Sequence, residues 1–380
     1  VHRREKKMSQ FDSVWRSLDK TVASKWAPGI VAGVRHKGKV EFYATGVRSY
    51  EAPDPMQTDT SFRIASLSKP LAGALTALMI ADGVFTLDDS VEQWLPELAG
   101  QKVLTHPHAA LDQTVPANKP ITVRHLLTMT NGIGAFFTKT PLAVAMQSAG
   151  LSPSPIPPQM SPDQFMAVIA ALPLAYQPGD HWMYHTASDI LSVLLARAGG
   201  KSLGDLLKER ITGPLNMQST GFTLRGKTLA AAYRPTPRGI VAFDEYNQAF
   251  MQAPPFESLG GGLVSTVPDY MTFLCALADD TLLPAEMRAQ MTSDQLSDEQ
   301  KAGIIEMMGP TKTWGWQLAV ENAVSEPWTA PGRWGWTGGS GTSAVVDPSR
   351  DLIGIVFTQR LMAGPNENFS YFWEPLAAAA

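Results

Sequence analysis

Apolar residues recur at helical spacing near the start of the chain. Phe11, Val14, Trp15, Leu18 and Val22 share one face over residues 9–26, which predicts an N-terminal amphipathic helix. The spacing then changes. The run GIVAGVRHKGKVEFYATGV reads as two strands around His36-Lys37-Gly38, a hairpin at 30–47. A second helix opens at Ser66, carries Leu71, Leu75, Leu78 and Met79, and runs to about Ala81, where Asp82-Gly83 stops it. From there to about residue 250 the pattern is mostly helical with Pro-rich connectors. Helices are predicted at 163–171, 187–199 and 202–211, and SPSPIPPQMSP (152–162) is the clearest loop. The last third contains GGGLVST, a helix near 268–279, then TWGWQLAV. It closes on the β-rich runs GTSAVVDP and DLIGIVFTQ, separated by turn signals.

Strands at both ends with helices between predict an α/β (α+β) fold. One antiparallel sheet is built from the N- and C-terminal segments and flanked by helices, with a mainly helical region inserted. The expected division is 8–80 with 255–380 for the sheet domain and 81–254 for the insertion. An active site between two such lobes would lie where pockets commonly form.

Composition narrows the classes. At 380 residues with 44% hydrophobic and 17% charged residues, the chain can bury a sizeable core. A net charge of −4 gives no basic footprint, so nucleic acid is not an expected partner. No apolar run approaches the roughly 18 residues of a membrane span. The single cysteine, Cys275, excludes an internal disulfide and a multi-Cys metal site. The chain opens on Val1 with a basic stretch, no apolar run follows it, and Met8 offers a natural start. The closing alanines are read, like residues 1–7, as additions. A cytoplasmic home without a secretory leader is expected.

The helix opened at Ser66 carries candidate chemistry. Lys69 stands three residues on, so the two side chains share a face. The pairing alone is weak, since roughly one serine in twenty has Lys at that distance by chance. Ser17 and Lys20 match it too, on the N-terminal helix among Arg16 and Asp19, where a solvated face explains them. Ser66 differs in its surroundings. It precedes a strongly apolar run, and the helix N-terminus offers backbone N–H groups to developing negative charge. Residues 61–81 contain no Asp or Glu to hold Lys69 in its charged form. A desolvated lysine there would have its pKa lowered toward that of a usable base. A nucleophilic serine also needs a proton shuttle and an oxyanion hole. Tyr184 stands just before a helix, in a loop entered through Pro178-Gly179. The stretch GRWGWTGGSGTSAVVDP places a Gly-rich turn ahead of a strand.

Together these residues resemble the serine hydrolases of the penicillin-recognising clan: class C β-lactamases, DD-peptidases and, most of all, the β-lactamase-like carboxylesterases of family VIII. The resemblance covers roughly residues 12–375. Ser66-Leu67-Ser68-Lys69 matches the S-x-x-K motif, and Tyr184-His185-Thr186 stands at Y-x-N. Trp336-Thr337-Gly338 stands at the third motif, K-T-G in lactamases and often H-x-G or W-x-G in esterases. ITVRHLLTMTNGI (121–133) and LGGGLVSTVPDY (259–270) resemble two structural signatures. The resemblance implies a β-lactamase/transpeptidase-like fold with Ser66 as nucleophile. It implies that Lys69 and Tyr184 move the proton as a coupled pair, and that the N–H groups of Ser66 and Gly339 form the oxyanion hole. It implies no cofactor and no metal.

Two positions depart from the lactamase pattern. Thr186 replaces asparagine, and Trp336 replaces a lysine that in lactamases helps bind the substrate carboxylate. An indole has no positive charge and one donor. With Trp334, Thr337, Gly338, Phe136 and Phe137, Trp336 is expected to line an apolar substrate site. Trp314 and Trp316 divide evenly between pocket wall and sheet packing. The expected partner is a small-molecule ester with a small or medium apolar acyl group, cleaved through an acyl-Ser66 intermediate. A lactamase or D-amino-acid peptidase, an acyltransferase and a non-turnover acylated sensor are the alternatives. His181 and His185 share helical metal-ligand spacing, but Pro178-Gly179 argues for a loop and no third ligand is near. His106-Pro107-His108 reads as an exposed loop. No Gly-x-Ser-x-Gly occurs, which disfavours a nucleophile elbow. Oligomeric state is left open.

Overall fold

The computed structural model describes residues 9–224, 229–365 and 367–380, so the Met8 start lies outside the described residues. Helix α1 (Asp12–Ala23) leads into strands β1 (Gly29–His36) and β2 (Lys39–Gly46). Lys37 and Gly38, with φ of 48° and 76°, form the two-residue turn whose doubly positive φ matches strand twist. Helix α2 (Ser68–Ala81) follows, then a largely helical stretch that includes α3 (Val123–Leu127) and α4 (Thr186–Gly199). Helix α5 (Val267–Ala278) returns the chain to the sheet. Five more strands complete it: β3 (Lys312–Trp314), β4 (Ala319–Glu321), β5 (Trp334–Gly338), β6 (Thr342–Asp347) and β7 (Leu352–Thr358). Helix α6 (Ser370–Ala379) ends the chain.

The seven strands form one antiparallel sheet in the order β2-β1-β7-β6-β5-β4-β3. Strand alternation divides its side chains between two cores. Ile30, Ala32, Val34 and Val356 face α1 and α6, where Phe11, Val14, Leu18, Phe372 and Trp373 meet them. Val31, Ile353, Ile355 and Phe357 face the larger core with α2 and α5. Gly33 lets α5 lie close, because a Cβ there would stand 2.8 Å from Val267. The fold is therefore the mixed α/β arrangement with an antiparallel sheet from both chain ends.

Several predicted elements shift in detail. The helix expected to open at Ser66 begins at Ser68, after a 3₁₀ turn over Ala65–Leu67. The helix expected at 202–211 is α-helical only over Leu203–Leu207, and a π turn continues it over Lys208–Thr212. The stretch before residue 254 also contains two-stranded ladders, Lys102–Leu104 with Thr114–Pro116 and Tyr233–Thr236 with Gly239–Ala242. The closing alanines continue α6, so they extend an element packed on the sheet. Among the described residues no helix is long and apolar enough to cross a membrane.

Candidate active site

Ser66 lies in the tight turn between a short strand (Phe62–Arg63) and α2. The preceding residue, Ala65, has φ of 44°, a left-handed conformation uncommon for a residue with a Cβ. Side-chain hydroxyls hold the surrounding carbonyls in place. Ser340 donates to the Arg63 carbonyl at 2.7 Å, Thr342 to Ile64 at 3.1 Å, Ser68 to Ala65 at 2.7 Å and Tyr270 to Leu67 at 2.9 Å. Two of these donors come from the β5–β6 turn. The Ser66 turn is thus fastened to the strand pair that carries Gly339. Gly338 makes the close approach possible, since a Cβ there would stand 2.2 Å from the Ile64 carbonyl. At Gly339 the space where a Cβ would sit is open.

Helix α2 is apolar all round and is buried accordingly. Lys69 goes in with it, at 0% exposure. Its Nζ lies 3.0 Å from Ser66 Oγ, a contact in which the ammonium donates and the neutral amine accepts, is 3.2 Å from His185 Nδ1, and also bonds the Gly260 carbonyl. Burial pulls the Lys69 ammonium down to about 7, with Asp189 pulling weakly the other way. Lys69 therefore gives up its proton far more readily than an exposed lysine.

Tyr184 enters from the loop before α4. Its ring sits 4.8 Å beneath Lys69 Nζ, and its hydroxyl is hydrogen-bonded to Ser66 and accepts from Trp336 Nε1 at 2.9 Å. Burial pushes Tyr184 up to about 12 against those two bonds, so the phenol keeps its proton. Trp314 stacks edge-on against both Tyr184 and Trp336, with centroids 6.2 and 4.8 Å away. It is fully buried, as is Trp316, so both pack the core beneath the site rather than line it.

The remaining sequence candidates scatter around this centre. Ala135 N–H donates to the Tyr184 carbonyl at 2.8 Å, which brings the 135–137 segment beside the site. Phe136 is half-buried there and Phe137 is 47% exposed. Trp334 is enclosed in the core two residues from Trp336. Thr337 alternates to the other face of β5 and opens with Arg333 and Trp373 onto a cleft of about 330 Å³. His181 stacks on Tyr176 at 4.1 Å, while His185 turns toward Lys69, so the two histidines do not converge. Ser17 donates to the Tyr371 carbonyl, far along the chain on α6, which gives this serine a packing role.

Sequence reasoning missed the group behind Lys69. His185 Nε2 lies 3.3 Å from Asp189 Oδ2, and Ser258 donates to Asp189 Oδ1 at 2.5 Å. His185 and Asp189 are four residues apart at the start of α4, a spacing legible in the sequence. Lys69 becomes their neighbour only through the fold.

A profile of the Beta-lactamase family matches residues 16–370. The chain belongs to the beta-lactamase family. Protein Rv1367c of Mycobacterium tuberculosis is 35% identical over 334 residues, 83% of this chain and 81% of that protein. Esterase EstB of Burkholderia gladioli is 28% identical over 383 residues, covering 94% and 92%. Among solved structures, "EstCE1, a hydrolase with promiscuous acyltransferase activity" superposes with a TM-score of 0.82 at 22% identity, over 97% of this chain and 98% of that one. This beta-lactamase-family chain is a serine hydrolase of the penicillin-recognising fold, related to the family VIII esterases.

Proposed function

We propose that the protein hydrolyses carboxylic esters of small or medium apolar acids through an acyl-Ser66 intermediate. One observation carries the reading: a fully buried Lys69, with its pKa near 7, lies 3.0 Å from Ser66 Oγ, and Tyr184 contacts the same serine. Neutral Lys69 takes the Ser66 proton as Oγ attacks the ester carbonyl. The backbone N–H groups of Ser66 and Gly339 receive the oxyanion. On collapse, Tyr184 protonates the departing alkoxide, and the lysine proton restores the phenol. Water then attacks the acyl carbonyl with the same pair acting in reverse, which frees the acid and returns Ser66 to its hydroxyl form.

The ester preference rests on Trp336. Its indole N–H is engaged by Tyr184 and it offers no positive charge to a lactam carboxylate. Phe136, Phe137 and Trp336 supply apolar walls at the rim, and the likeness to Esterase EstB agrees with ester chemistry. EstCE1's name also supports a second reading, acyl transfer to an alcohol from the same intermediate. Turnover of p-nitrophenyl esters of increasing chain length, run beside nitrocefin and with an added alcohol acceptor, tests all three. The expected result is ester turnover that far exceeds nitrocefin turnover and is lost in Ser66→Ala, with Ser17→Ala unaffected. Activity retained by Ser66→Ala would overturn the proposal.

A further inference from the structure

Lys69 Nζ has three polar neighbours, and two of them decide where its lone pair can point. The Gly260 carbonyl can only accept. His185 Nδ1, 3.2 Å away, accepts or donates according to its tautomer. That tautomer is set on the far side of the ring. Asp189 Oδ2 lies 3.3 Å from Nε2, and its partner oxygen Oδ1 receives the Ser258 hydroxyl. The Ser258 hydroxyl points that way because its oxygen already accepts the Gly260 N–H at 3.0 Å. The bonds thus close a ring that begins and ends at Gly260. Gly260 orients Ser258, Ser258 orients Asp189, Asp189 holds the proton on His185 Nε2, and Nδ1 is left as an acceptor for Lys69.

We propose that His185 and Asp189 are positioning residues that aim the lone pair of neutral Lys69 at Ser66. With both N–H bonds of neutral Lys69 directed at Gly260 and His185, the lone pair is the only feature left facing Ser66 Oγ. With the proton on Nδ1 instead, His185 would donate to that lone pair and withdraw the base from the serine.

The surroundings agree. Thr186, at the asparagine position of the Y-x-N motif, has a buried hydroxyl with no hydrogen-bond partner among the described residues, so the contact to Lys69 comes from the residue before it. His185 adopts φ of 82° to present its ring inward, an uncommon conformation for a residue that bears a Cβ. Burial, then Lys69, hold His185 below its ordinary value, which keeps it neutral and able to accept. Burial alone would raise Asp189, but hydrogen bonds donated by His185 and by the Ser258 hydroxyl favour its carboxylate form. The other titratable groups that face this cluster are Tyr184 and, across a cleft of about 420 Å³, Glu245.

This inference rests on the ester-hydrolysis reading, and the experiment separates the two. Acylation of Ser66 by p-nitrophenyl butyrate is followed in the parent enzyme and in Ser66→Ala, His185→Gln, His185→Leu and Asp189→Asn. Gln and Leu are similar in size and suffer equally from the positive φ, but only Gln can accept from Lys69. His185→Gln is expected to acylate within about tenfold of the parent. His185→Leu and Asp189→Asn should each lose at least about 100-fold in rate, the lower range for acid–base groups, with KM little changed. Asp189→Asn keeps an acceptor for Ser258 and turns a donor toward His185, which reverses the tautomer. Equal rates for Gln and Leu, or a normal rate for Asp189→Asn, would overturn the inference while leaving Ser66 chemistry intact. Activity in Ser66→Ala would overturn the underlying reading instead. Nitrogen-15 spectra of the seven histidines in the parent protein give an answer that needs no variant to fold. A neutral His185 protonated at Nε2 is expected, and protonation at Nδ1 would refute the proposal.

Discussion

Lys69 must be neutral before it can take a proton from Ser66, and this fixes the direction of the pH dependence. With Lys69 at about 7 and Tyr184 at about 12, kcat/KM for a small ester should rise with pH through about 7. It should then stay level until well into the alkaline range, because the phenol keeps its proton there. A stopped-flow profile of acylation checks this, and a rate that falls on passing pH 7 would contradict it. Tyr184→Phe should cut turnover at least about 100-fold while Ser66 remains reactive, the lower end for a lost proton donor. Burst measurements separate that slow turnover from a lost nucleophile. At this scale the sequence carried Ser66, Lys69 and Tyr184 because motif spacing and an apolar helix marked them. It did not carry Asp189, which lies in a different segment and has no hydrogen bond to Lys69, meeting it through His185. The absence of acidic residues from 61–81 left the lysine looking free of carboxylates. The fold supplies one at one remove.

Elements were legible wherever a period was sustained. The β1–β2 hairpin and helices α1, α4 and α5 lie within three residues of their predicted ends, because each sustains a regular apolar pattern bounded by turn or cap signals. The turn that carries Ser66 was not legible. Its left-handed Ala65 and 3₁₀ geometry are imposed by hydroxyls from residues 270, 340 and 342, which no local pattern announces. Helix α6 was also missed, since Pro375 inside it argues against a helix. Helix α3 carries an element-scale prediction. Thr122 and His125 form a reciprocal cap, with the Thr122 N–H donating to His125 Nδ1 at 3.1 Å. This bond requires a neutral imidazole. Burial, then Lys119 and Arg124, hold His125 down to about 4, against about 6.5 in the unfolded chain. Between those values the unfolded chain binds a proton that the folded one does not. This contribution to stability is therefore full above pH 6.5 and is lost as pH falls toward 4, by on the order of 3 kcal/mol. Urea unfolding across that window measures the loss. His125→Gln, which keeps an acceptor for the Thr122 N–H, should remove most of it.

For the whole molecule, the sheet separates stability from chemistry. The core formed with α1 and α6 lies on the face opposite Tyr184 and Trp336, which belong to the larger core. Phe372→Ala, at a fully buried position, should cost about 3–5 kcal/mol in urea unfolding. The kcat/KM of the molecules that remain folded should stay near that of the parent, and a parallel loss of both would show that the faces are coupled. The broad plan was legible because strands cluster at the two chain ends. Which strands pair was not, since β1 meets β7 across more of the chain than any local pattern spans. That closure has a consequence for synthesis. A nascent chain halted before residue 340 presents Ser66 and Lys69 without the Ser340 and Thr342 hydroxyls that hold their turn, without Gly339's neighbours and with one edge of β1 unpaired. Ser66 is made early and the contacts that shape its turn are completed last, so in the proposed mechanism a truncated product on the ribosome would be chemically silent.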